Sequence, residues 1–363
     1  MVRHAEESAD PITVLLTCGD PAGVGPEVTW RTWAESSLHA TVRLRVVGDP
    51  QLLAGVLESR PGLPPCRVTT VDSLDPRCSA ADEMLVIPAP AVGSVATAEA
   101  PALPIGRPSA LGGRSAAVAV ETACRLVLEG RAHALVTGPL HKQALHAAGY
   151  DVPGHTELLA RACGLPDDAA SMMLWLPAAD GGGLGVVHTT LHEPLARAVA
   201  RLTPESITHA GDRLHGVLSA LLGRPPRLAV AALNPHAGEG GLFGDEEDRI
   251  VVPAVRRLAQ AGIDVTGPLP ADTLFLRASG GEFDGVVALY HDQGHIPIKL
   301  LGMHRAVNVT LGLPLVRTSV AHGTAFDIAG RGLADASSLR SALDAAVRLV
   351  TAASGRASGG AGP

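Results

Sequence analysis

In the stretch DGVVALYHDQGHIPIK an apolar run ends in His291, Asp292, His295 and Lys299, so two imidazoles, a carboxylate and an ammonium fall within nine residues. Two other apolar runs finish in the same way. LGVVHTTLHEPL carries His188 and then His192, and AVAALNPHAGEGG delivers His236. One histidine at a strand end is ordinarily a satisfied polar tip. Three at equivalent places point to a convergent site, and imidazole is a common ligand of divalent metals, so the chemistry suggested is metal binding. No HExxH or zinc-finger spacing is present, and the ligands must therefore converge through folding. Asp272 in GPLPADTLF and Asp292 either orient imidazoles or contact the metal. Each would serve equally well as a helix cap or a surface carboxylate.

The elements that must position these groups are visible as short apolar runs at 12–17, 44–48, 84–88, 133–138, 184–190, 227–234, 285–290 and 306–311. Helical patterns fall between several of them. The clearest is GRSAAVAVETACRLVLEGRA, where Ala116, Val120, Ala123 and Val127 recur at three to four residue steps, Glu121, Arg125 and Glu129 fall elsewhere, and Gly130 is a stop signal. Strands alternating with helices predict an α/β protein with a largely parallel sheet covered on both faces. Such sheets hold ligands at the carboxyl ends of their strands. The loop TCGDPAGVGPEV offers an anion site at a helix N-terminus or a simple tight turn, but matches neither GxGxxG nor GxxxxGK[ST]. HAGEGGLFGDEE likewise permits close backbone approach. The 91–106 segment reads as an irregular arm, and residues 351–363 as a disordered tail.

Composition narrows the partners. The 363 residues carry Lys+Arg 29 against Asp+Glu 36, a net charge of −7, with no basic run to track phosphates, so nucleic acid is excluded. The start lacks a signal-peptide apolar region and no segment reaches about 18 apolar residues, which predicts a cytoplasmic protein with no membrane partner. Five cysteines without a CxxC pair are expected to be reduced and buried. Aromatics are only 2% of the chain, so the core must be built from Ala, Val and Leu.

The words GDPAGVGPE, TGPLHKQAL, GHTELLA, LNPHAGEGG, GPLPADTLF, YHDQGHIPIK and VNVTLGLPLVRTSVAHGTAFDIAG, in this order, resemble the 4-hydroxythreonine-4-phosphate dehydrogenase family of vitamin B6 biosynthesis. The resemblance runs from about Thr13 to Ala336. It implies the two-domain α/β fold of isocitrate and isopropylmalate dehydrogenases with a central cleft: 1–130 with 315–350 as one domain and 131–314 as the other, in a homodimer with a shared active site. It places divalent-metal ligands (Zn, Mg, Mn or Co) on His192, His236 and His291, and substrate contacts on His155, Thr156, Lys299, Asn308 and Arg317. Lys299, Asp292 and Asp272 are the candidate catalytic residues.

Two departures from the family pattern stand out. Thr189-Thr190-Leu191-His192 occupies the place of a common Thr-Thr-His, making His188 the alternative ligand there. His295-Ile296-Pro297 replaces Leu-Pro, as in relatives acting on phosphorylated four-carbon sugar acids. His295 itself either lines the site or stands behind it.

The implied reaction is oxidation of 4-hydroxythreonine 4-phosphate with NAD (or NADP), followed by decarboxylation of the β-keto acid. 4-Phospho-threonate and 4-phospho-erythronate are the alternative substrates, and a metal-dependent hydrolase is the reading from another class. The cofactor-binding residues are not indicated by the glycine loops.

Overall fold

The structure is a computed structural model in which residues 11–89, 103–152, 154–166 and 169–355 are described. Among them twelve strands form one sheet: β1 (Ile12–Thr17), β2 (Val42–Gly48), β3 (Arg67–Thr70), β4 (Glu83–Pro88), β5 (Ala134–Thr137), β6 (Ser171–Pro177), β7 (Gly183–His188), β8 (Leu228–Ala231), β9 (Val265–Leu269), β10 (Gly285–Ala288), β11 (Val307–Leu311) and β12 (Val316–Val320). Their order in space is β3-β4-β2-β1-β5-β12-β11-β6-β7-β10-β8-β9. The α/β class is as expected, and all eight apolar runs are strands. β1, β5, β8 and β10 are buried at every position, as strands covered on both faces must be.

The sheet is parallel except in its middle. There β12 with β11, β11 with β6, and β6 with β7 pair antiparallel. A crevice opens where strand direction and order change, because the connections leave the sheet toward different faces. Of the expected domain limits, 130 falls just before β5, which pairs with both β1 and β12, and 315 falls between β11 and β12.

The helix expected after residue 110 runs Ala110–Leu128, capped by Ser109, whose hydroxyl accepts from the Gly112 N–H. Ala116, Val120 and Ala123 are fully buried against the sheet, and Gly130 takes the left-handed conformation that ends it. The Ser337–Ala353 helix continues past the point where a disordered tail was expected, because Ala346, Leu349 and Val350 still have a core to cover. Residues 356–363 and most of the 91–106 arm lie outside the described residues. All five cysteines are free. Cys78 is exposed, against the expectation of burial, since it lies in the irregular stretch before β4. Among the described residues no helix is long and apolar enough to cross a membrane.

Candidate active site

The expected histidines do come from neighbouring strand ends: β7, β10 and β8 lie side by side and parallel. Their chains then diverge. β10 stops at Ala288, and His291 opens a helix, His291–Gly302, rather than ending a strand. That helix is tied down by Gln293, whose amide accepts from the Leu289 N–H at 2.7 Å and donates to the Ala232 carbonyl at 2.7 Å. His291, His295 and Lys299 therefore recur at four-residue steps and share one helical face. Gly294 lets this helix lie on the sheet, for a Cβ there would stand 2.5 Å from His188 Nε2.

A cleft of about 300 Å³ lies over this face, at the antiparallel middle of the sheet. The helix His155–Ala162 contributes His155 and Thr156, the loop after β7 contributes His192, the His291–Gly302 helix contributes His291, His295 and Lys299, and β11 contributes Asn308. The structure thus brings together six residues that sequence reasoning had nominated, together with His295. Lys142, Glu157, Ser319 and His322 line the same space and had been assigned no role. Lys142 and His322 follow the ends of β5 and β12, so the strand-end rule was the signal that could have found them.

Four of the nominated residues stand elsewhere. Asp272 is an exposed carboxylate in the first turn of the Ala271–Ser279 helix, where it complements the helix dipole. Asp292 turns away from the cleft, and its Oδ1 accepts from His291 Nδ1 at 2.6 Å. It holds that ring with Nε2 bare, the form in which imidazole binds a metal. Arg317 lies behind the cleft, donating to the hydroxyls of Thr310 at 2.8 Å and Thr137 at 2.6 Å. It is 1% exposed, no carboxylate answers it among the described residues, and burial lowers it to about 9. His236 sits on the exposed loop Pro235–Gly241, which runs through left-handed backbone.

Burial favours the neutral form of three imidazoles of the cleft, His155, His192 and His295. Burial first and Arg317 second hold His155 well below its ordinary value, and its Nε2 is buried with no partner. His192 is lowered by burial, then by Lys142 and His291. Burial, with His291 and Lys299 behind it, takes His295 down to about 4. Neutral rings can accept, donate or ligate without repelling a cation. Within one chain the rings of His192 and His291, 5.6 Å apart, can supply two positions to a divalent ion. Among the described residues no group of three or more His, Cys, Asp or Glu side chains is placed to hold one, and a third ligand has to come from outside this cleft.

Around these groups stand Lys142 and Lys299, the open N-terminus of the His155–Ala162 helix, and Asn308. Gly154 precedes that helix and no side chain caps it, so its first N–H groups are free for an anion. The arrangement suits a small molecule with two anionic ends and a polar middle.

Comparison with known proteins agrees with this chemistry. The chain is 43% identical over 340 residues to the D-threonate 4-phosphate dehydrogenase of Cupriavidus necator, covering 93% of this chain and 96% of that one. It is 45% identical over 345 residues to the 4-hydroxythreonine-4-phosphate dehydrogenase of Beijerinckia indica, covering 93% and 94%. The crystal structure of 4-hydroxythreonine-4-phosphate dehydrogenase from Klebsiella pneumoniae superposes with a TM-score of 0.78 at 40% identity, covering 93% of this chain and 99% of that one. Residues 40–346 match the family model of the pyridoxal phosphate biosynthetic protein PdxA, and the chain belongs to that family.

Proposed function

We propose that the cleft oxidises the alcohol of a small phosphorylated hydroxy acid with NAD (or NADP) as hydride acceptor, and that the β-keto acid so formed loses carbon dioxide. The substrate is 4-hydroxythreonine 4-phosphate or the closely similar 4-phospho-threonate or 4-phospho-erythronate. The observation that carries this reading is the convergence of Lys299, Asn308, His155, Thr156, His192 and His291 on one small cleft. Lys299 and Lys142 suit the carboxylate and phosphate as point charges. Arg317, buried without a counter-charge next to His155, strengthens the positive field at the cleft floor. Thr156 and the free N–H groups of its helix can hold phosphate oxygens, and Asn308 a hydroxyl.

The metal fits in part. His192 and His291 would hold it from one chain and His236 from a second copy. When bound, a divalent ion would favour loss of the alcohol proton and polarise the resulting ketone. Asp292 keeps His291 in the ligating tautomer, while Lys299 is placed to take or return a proton if the closed cleft excludes water. Asp272 is exposed and lies outside the lining of the cleft of its own chain.

A homodimer with shared sites suits the surface. Leu300 is 82% exposed on the outer face of the His291–Gly302 helix, and Leu242 and Phe243 are exposed on the loop that follows His236. Apolar groups placed so near the site are better covered by another subunit than by water. The division into two domains, 1–130 with 315–350 and 131–314, fits a cleft at the antiparallel middle of the sheet. Five free cysteines suit a reducing, cytoplasmic compartment.

The test is a side-by-side assay of the three acids with NAD and divalent metal, following reduced nicotinamide and released carbon dioxide. Reduction with one of them supports the reading. Release of inorganic phosphate without nicotinamide reduction would replace it with a metal-dependent hydrolase.

A further inference from the structure

Two buried imidazoles beside the cleft are joined nitrogen to nitrogen. His188, at the end of β7, places Nε2 2.9 Å from Nδ1 of His295. The two residues are 1% and 7% exposed, and two nitrogens at this distance hold one hydrogen between them. A neutral imidazole has one N–H and one bare nitrogen. A single hydrogen therefore lies in the contact, and its owner decides what each ring offers elsewhere.

The other side of His188 settles the ownership. Its Nδ1 faces the Met172 carbonyl oxygen at 3.5 Å, and a carbonyl can only accept. The hydrogen of His188 is thus on Nδ1 and its Nε2 is bare. His295 must then donate from Nδ1, which leaves its own Nε2 as a bare acceptor. That ring lines the cleft, stacked on His291 with centroids 3.8 Å apart, one helical turn before Lys299.

We propose that His188 is a positioning residue that locks His295 in the Nδ1–H tautomer, so that His295 Nε2 accepts a hydrogen bond from a hydroxyl of the bound hydroxy acid. The identity of the ligand rests on the function proposed above; the tautomer does not. Neither residue is asked to change charge. The lock supplies a fixed acceptor one helical turn from Lys299, and a fixed acceptor discriminates a hydroxyl from its absence.

The first measurement is long-range proton–nitrogen correlation on the full chain labelled with ¹⁵N-histidine, without substrate. His295 should show a protonated Nδ1 and a bare Nε2. His188→Gln, whose amide oxygen can take the His295 N–H, should preserve that pattern. His188→Leu, which cannot, should yield mixed tautomers. An Nε2-protonated His295 in the unaltered chain, or a pattern unmoved by His188→Leu, overturns the lock.

The second measurement is calorimetric binding of D-threonate 4-phosphate and its 2-deoxy and 3-deoxy analogues. The unaltered chain should bind one analogue about tenfold more weakly than the parent acid, and His295→Phe should abolish that difference. Discrimination that survives in His295→Phe overturns the hydroxyl contact. A confirmed tautomer with no binding of any of the three acids would overturn the hydroxy-acid reading and the hydroxyl contact, and leave the lock standing.

Discussion

The same substitution, glycine to alanine inside a helix, should have opposite consequences at positions 294 and 216. At Gly294 the new Cβ would stand 2.5 Å from His188 Nε2, 2.8 Å from Val186 Cγ1 and 3.0 Å from Ala288 Cβ. Carbon atoms in contact prefer about 3.5–4.0 Å. Val186 and Ala288 belong to the central strands β7 and β10 and cannot retreat. The His291–Gly302 helix must therefore lift by about 1 Å, and overpacking of this kind costs about 1–3 kcal/mol. Better helix propensity returns about 1 kcal/mol of that, for a net loss of up to about 2 kcal/mol. The lift carries His291, His295 and Lys299 with it, and a misplacement of this size lowers kcat/KM by about a hundredfold. Gly216, on the exposed side of the Pro204–Leu222 helix, has nothing within 4 Å of its Cβ position. Alanine there should stabilise by about 0.8–1 kcal/mol and leave activity unchanged. Urea denaturation and steady-state kinetics on both variants provide the check. A Gly294→Ala protein with an unchanged midpoint and normal kinetics would refute the claim that this glycine seats the His291–Gly302 helix.

Three further outcomes are expected. Asp20 is fully buried, and burial raises its carboxyl to about 6 despite the Ala22 N–H it accepts. Because the folded state holds this proton more tightly than the unfolded chain, its stability contribution is full below the ordinary value of 3.8 and is lost as pH rises through about 6; Asp20→Asn should flatten the denaturation midpoint over that window, where the effect amounts to about 3 kcal/mol at most. Arg317→Ala should weaken binding of the phosphorylated acid, through the lost positive field behind the cleft, and spare NAD binding; equal losses in calorimetry would contradict a role toward substrate. Because His192 and Lys299 line one cleft of one chain, mixing those two alanine variants should not restore activity; mixing His192→Ala with His236→Ala should, and activity should fall on dilution below the dimer dissociation constant. Full activity of a sedimentation-verified monomer would rule out the shared site.

The sequence by itself determined the elements whose signals are local. Eight strands were legible because a strand covered on both faces is a continuous apolar run, and the Ala110–Leu128 helix because one buried stripe recurs every turn. The histidines on or just beyond β7, β8 and β10 were legible for the same reason, since each lies at or within a few residues of the end of such a run.

What only the tertiary structure decided depends on partners far away in the chain. β3, β6, β9 and β12 escaped notice: β3 is a polar edge strand, β9 contains Gly267 and Pro268, β6 is rich in Met and Trp, and β12 buries Arg317 and Ser319. A buried arginine looks like a surface residue until Thr137, 180 positions earlier, supplies its acceptor. The His291–Gly302 helix was hidden by Pro297 inside it, although anchoring by Gln293 and packing on β7 and β10 outweigh the lost hydrogen bond. Likewise the pairing of His188 with His295, 107 positions apart, and the outward course of the His236 loop follow from how the helices and loops leave the sheet. Local periodicity records which residues are buried; it carries no record of which buried polar groups meet.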